Sequence, residues 1–191
     1  MSTRPFTLAA AALTLTLAGA PTTSAIQNTP QNPDAEVVAD FLERVKQYAA
    51  LHDKLESTLP TIPTATTPEL IVQHQSAMER LLTRARSGAQ PGNIFTDPIR
   101  AYIRRQLSRV LSGPDGERVR ATILDEDTRA VRLTINARYP PTVPLSTVPP
   151  QVLLVLPRLP EPLEYRFVGD RLVLMDIHAN TVVDFMEKAL G

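Results

Sequence analysis

The sequence predicts an α+β fold: an N-terminal antiparallel helical hairpin plus a further helix, followed by a small antiparallel β-meander of about four strands. Three observations carry this reading. From residue 35 to 125, apolar side chains recur at alternating spacings of three and four, the repeat of helices buried on one face. At Val131 the period changes to strict alternation, the repeat of a half-buried strand. The chain also holds 18 prolines against seven glycines, which stiffens the connections between elements because proline fixes φ.

In chain order, Val38, Phe41, Val45, Tyr48, His52, Leu55 and Leu59 mark one face of a long first helix, which Pro60 and Pro63 end. Thr67-Pro68 restarts a second helix with a capping hydroxyl and a proline at the first helical position, and its stripe is Ile71, His74, Met78, Leu81 and Ala85. A third helix starts at Asp97-Pro98, runs to Ser112 and buries Ile99, Ile103, Leu107 and Val110. Gly113-Pro114-Asp115-Gly116 closes it, and a short helical piece through Val119 and Ile123 follows.

Val131, Leu133, Ile135, Ala137 and Tyr139 then alternate with Arg132, Thr134, Asn136 and Arg138, the pattern of a strand with a solvated arginine face. Eight prolines from Pro140 to Pro162 exclude a central strand in that connection but leave room for one helical turn at Pro150–Leu156. The last segment reads as three short strands joined by Gly169-Asp170 and by His178-Ala179-Asn180 and followed by a short helical tail, the alternative for the third being a terminal helix through Met186 and Leu190 capped by Asn180 or Thr181.

Residues 1–25 have the form of a signal peptide: Arg4 supplies the positive region, Pro5 to Ala20 the apolar run, and Thr23-Ser24-Ala25 the small residues before a cleavage at Ile26. The run is short for a membrane span, which needs about 20 residues. Export and release to the periplasm or medium is the expectation, with no stable membrane span after cleavage. Residues 26–34 carry few apolar side chains and read as a flexible leader. Residues 35–191 then form a single α+β domain.

No cysteine is present, which removes disulfides, thiolate nucleophiles, iron–sulfur clusters and cysteine-held zinc. With 20 basic and 20 acidic residues, net charge nominates no partner, and no nucleic-acid motif is present. Asp125-Glu126-Asp127 fails as an EF-hand loop because Ala130 stands where the turn glycine is needed. The glycines match neither phosphate-cradling spacing.

Leu159-Pro160, then Glu164 to Asp170, then Leu172-Val173-Leu174 and Val182-Val183-Asp184, resemble the terminal hairpin motif of exported bacterial proteins related to the periplasmic nickel/cobalt homeostasis regulators. The longer run from Gly113 to Phe185 is similar to uncharacterised exported bacterial proteins. The resemblance implies an envelope location and a small β-meander. It implies no metal ligands, for the chain lacks histidine-rich or acidic tracts.

Three constellations are candidate sites. His52 lies seven residues before Leu59 and His74 seven after Thr67, so an antiparallel hairpin places each about 10 Å from the loop and facing the other. Such a pair can bind a transition metal or haem, or switch with pH, and Glu56 adds a carboxylate one turn from His52. The plainer alternative is two rings packed at the edge of the interface. Asp176, His178 and Asp184 surround the last turn, where an Asp–His pair can do acid/base work, though no nucleophile accompanies it. Arg100, Arg104, Arg105 and Arg109 form two i, i+4 pairs that can hold an anion, with Tyr102 or Phe95 beside them, or make an ordinary solvated face. These patterns favour a non-enzymatic binding or structural module of the envelope, engaging an unknown envelope component. A metal- or haem-binding sensor or carrier using His52 and His74 is the alternative.

Overall fold

The computed structural model describes residues 32–124 and 131–191. The segment expected to be a signal peptide, most of the expected leader and the acidic run 125–127 lie outside the described residues.

Helix α1 spans Pro33–Glu56, beginning two residues earlier than the sequence reading. Asn32 accepts from the Asp34 N–H at 3.1 Å and Pro33 occupies the first turn, so the end of the leader is the helix cap. The stripe Phe41, Val45, Tyr48 and His52 is buried as expected. Helix α2 spans Pro68–Ala85 behind its Thr67 cap. Its buried residues are Met78 and Leu82, whereas Ile71 and Ala85 are exposed, so only its C-terminal half meets the core. Helix α3, Asp97–Leu111, buries Ile99, Ile103 and Leu107, and α4, Gly116–Leu124, buries Val119 and Ile123. One short turn of helix, α5, occupies Pro150–Leu153 in the proline-rich connection.

The sheet has three antiparallel strands in the order β1 (Leu163–Val168), β2 (Arg171–Asp176), β3 (Thr181–Met186). Central β2 is buried throughout. Its alternate side chains divide between two cores: Leu172 and Leu174 join the helices, while Val173 and Met175 join Tyr139, Val168 and Val182 on the opposite face.

The expected fourth strand is not a named strand of this sheet. Residues 131–139 do lay Val131, Leu133 and Ile135 against the second core, as alternation requires. Among the described residues, they bond β3 through Asn136 N–H to Val182 O and Val182 N–H to Ala137 O, and the turn before it through Tyr139 N–H to Asn180 O. The interruption is Asn136, at φ 63°, a left-handed conformation that asparagine tolerates better than most residues. Its buried amide accepts from Arg86 at 2.6 Å and donates to the Arg86 carbonyl at 3.0 Å, which ties this segment to the end of α2.

The C-terminal tail also departs from expectation, being a turn and not a helix. Arg104 donates to the carbonyls of Glu187 and Lys188, Arg120 to that of Leu190, and the Ala189 N–H to Asp170 O. Those long-range bonds replace the ones a helical tail would make to itself, and they bury Ala189 and Leu190.

Candidate functional site

The polar centre of the molecule lies where the last turns of α1 meet the β2–β3 turn. Tyr48, His52 and Glu56 are spaced four apart and share one helix face. Asp176 ends β2 and is fully buried. It accepts from the Tyr48 hydroxyl at 2.7 Å, from His52 Nδ1 at 2.6 Å and, through its second oxygen, from the Ala179 N–H at 2.9 Å. That last bond fixes the turn as well as the carboxylate.

His52 presents its other nitrogen to Glu56, with Nε2 3.3 Å from Oε2. The Glu56 Oε1 lies 3.7 Å from Nδ1 of His178, which sits half-exposed in the turn, and the two imidazoles meet edge-on with centroids 5.5 Å apart. His52, Glu56 and His178 each offer one ligand atom, and all three atoms lie within 4.8 Å of one another.

The electrostatics are those of a buried acceptor with several donors. Burial alone would lift the Asp176 pKa, but the His52 and Ala179 hydrogen bonds, the His52 charge and the Tyr48 hydroxyl outweigh it and hold it below the usual carboxylate value. Burial alone would lower the His52 pKa, yet its hydrogen bond to Asp176 and the charges of Asp176 and Glu56 raise it. Tyr48 is pushed well up by burial and by the adjacent carboxylate.

The expected constellations are rearranged accordingly. His52 and Glu56 stay together, but their histidine neighbour is His178; His74 instead lines clefts beside the loop after α1, outside the His52–Glu56–His178 cluster. Asp176 and His178 both approach α1. Asp184 points elsewhere, accepting the N–H groups of Gly92, Ile94 and Phe95 at 2.7–2.8 Å and so anchoring the loop that leads into α3. The arginines of α3 are dispersed: Arg104 holds the tail, Arg105 pairs with Asp34, Arg100 with Asp97, and Arg109 with Gln106. Arg105 also stands over the Tyr102 ring.

Tyr48 is the member that the sequence reading did not single out for chemistry. Its position one turn before His52 was the available signal. Asp176 carried no signal of its partnership with α1, because the two are separated by more than a hundred residues and meet only through the docking of the sheet.

Two clefts with shared walls lie beside the loop after α1, the second reaching Glu56. One, of about 260 Å³, is lined by Leu59, Pro60, Ile62, Pro63, Leu70 and Ala77, with His74 at its wall. Its neighbour, of about 480 Å³, shares Leu59, Pro60, Thr61, Ile62 and His74 and adds Asp53 and Glu56. Among the described residues, no helix is long and apolar enough to cross a membrane. Compared with known proteins, the chain matches no family model, no curated protein and no solved structure.

Proposed function

We propose that the chain is an exported bacterial envelope protein that acts as a non-enzymatic binding module and engages its partner through the start of α2. The observation that carries this is the exposure of three consecutive aliphatic side chains, Leu70, Ile71 and Val72, at 44%, 40% and 50%. Leu70 also lines the apolar cleft under the proline-bearing loop. Exposed aliphatic side chains at the mouth of an apolar cleft are candidates for partner contact. The buried carboxylates support binding over turnover: Asp176 and Asp184 are each filled by several internal donors.

The walls also select the occupant. No lysine or arginine lines either cleft, while Asp53 and Glu56 stand at the polar end. The partner that fits is a protein segment with aliphatic side chains and a basic residue that reaches Asp53.

The test is a photo-crosslinking amino acid at Val72, and separately at exposed Arg84, in cells of the source bacterium. Crosslinks from position 72 to one protein, through a peptide with the stated apolar and basic character, support the reading when Ile71→Glu removes them without altering the melting curve. Equal labelling from both positions, labelling of a second copy of the chain alone, or no effect of Ile71→Glu sinks it.

A further inference from the structure

The end of α1 offers more than a docking wall. His52 and Glu56 are one turn apart, and the β2–β3 turn delivers His178 to the same point. A tetrahedral metal site with bonds of about 2.0–2.1 Å has ligand–ligand edges of roughly 3.3–3.4 Å. His52 Nε2 and Glu56 Oε2 already stand 3.3 Å apart, and Glu56 Oε1 and His178 Nδ1 3.7 Å apart. All three ligand atoms fall within 4.8 Å, and the residual closure rests on Glu56 and His178, side chains with 36% and 45% exposure.

The inner ligand needs no rearrangement. His52 gives its Nδ1 hydrogen to buried Asp176, which is itself held by the Tyr48 hydroxyl and the Ala179 N–H. This holds the ring with Nε2 on the Glu56 side, where a metal ion takes the place of the Nε2 proton. A carboxylate behind a ligating imidazole is the usual support of a histidine–metal bond, orienting the ring and raising its basicity. An isolated surface cluster of exposed groups would have no such buried brace.

We propose that His52 Nε2, Glu56 and His178 Nδ1 bind a single divalent transition-metal ion, braced from behind by Asp176 and Tyr48. Two imidazoles and one carboxylate suit zinc or cobalt, whereas calcium and magnesium require oxygen-rich shells. Three protein ligands leave a fourth position for water or an exogenous ligand. This site goes beyond the docking reading and shares only Glu56 with it, so each can fail alone.

The experiment titrates the metal-stripped full chain with CoCl2, followed by visible absorption, and with ZnCl2, followed by calorimetry. The expected result is one ion per chain with a tetrahedral cobalt spectrum. His178→Ala and Glu56→Ala should each weaken binding by more than about 100-fold, and Asp176→Asn by about 10–100-fold, the range for loss of a supporting group. His178 lies at the surface, so its variant should melt like wild type without metal, whereas Glu56 is half-buried against His52 and its variant is read by its metal affinity alone. His74→Ala should bind normally. Absence of saturable cobalt or zinc binding at micromolar concentration, unchanged affinity in His178→Ala, or equal loss in His74→Ala would overturn the site. The crosslinking at Val72 is read without added metal, which keeps the two readings separable.

Discussion

Asp184→Asn should destabilise the fold without touching any chemistry. The carboxylate bridges β3 to the 92–95 loop, with Oδ1 accepting from Gly92 at 2.8 Å and Oδ2 accepting from Ile94 at 2.7 Å and Phe95 at 2.8 Å. An asparagine retains one accepting oxygen. Its least costly rotamer keeps that oxygen toward Ile94 and Phe95 and turns the amide toward Gly92, donor against donor. A hydrogen bond to a charged group contributes about 1.5–3 kcal/mol and a neutral one about 0.5–1.5. Losing the first bond and downgrading the other two therefore costs about 3–5 kcal/mol. That is a large part of the roughly 5–15 kcal/mol that holds a domain together. Urea unfolding followed by far-UV circular dichroism measures it, and Tm should fall on the order of 10 °C for a chain of this size. A loss below about 1 kcal/mol would refute the anchoring argument, since buried donors in this loop would then have another acceptor.

Gly116→Ala should be among the most damaging small substitutions, because a Cβ there would meet the Leu111 carbonyl oxygen at 1.9 Å, whereas Gly88→Ala faces open space and should change stability by less than about 1 kcal/mol; equal unfolding midpoints would contradict this. Asn136→Ala should cost about 2–4 kcal/mol by combining a left-handed backbone at φ 63° with loss of two bonds to Arg86, and a melting curve matching wild type would show that the segment needs neither. Burial, with a smaller push from Tyr102, raises the Tyr165 hydroxyl pKa, so its protonated form is favoured in the folded chain. Its contribution to stability is complete below the unfolded tyrosine value of about 10 and is lost as pH rises toward the folded value. Unfolding free energies should therefore decline above about pH 10, and tyrosinate absorbance from Tyr165 should appear only as circular dichroism is lost; titration of all four tyrosines in a folded chain would overturn it.

Much of the fold was legible because its signals are local. The stripes Phe41–Val45–Tyr48–His52 and Ile99–Ile103–Leu107, the Thr67-Pro68 start and the Gly169-Asp170 turn each depend on residues within a turn or two of one another. The α+β order and three strands follow from such patterns. The failures fall where distant segments compete with local preference. Alternation holds from Val131 to Ile135, but Asn136, expected on the solvated face, is buried, and its bonds with Arg86 bend the backbone out of a ladder. The 187–191 tail gives up a helix because Arg104 and Arg120 bind its carbonyls.

The sequence by itself determined which side chains stand near one another on each element: Tyr48, His52 and Glu56 on one helix face, and Asp176 and His178 around one turn. Only the tertiary structure decided that these two groups meet, that His178 and not His74 joins His52, and that Asp184 serves a loop instead of a site. The physical reason is range. Helical and strand periodicity is set by neighbouring backbone bonds, whereas a buried carboxylate takes whichever donors the packed core brings to it, and those donors lie tens to more than a hundred residues away.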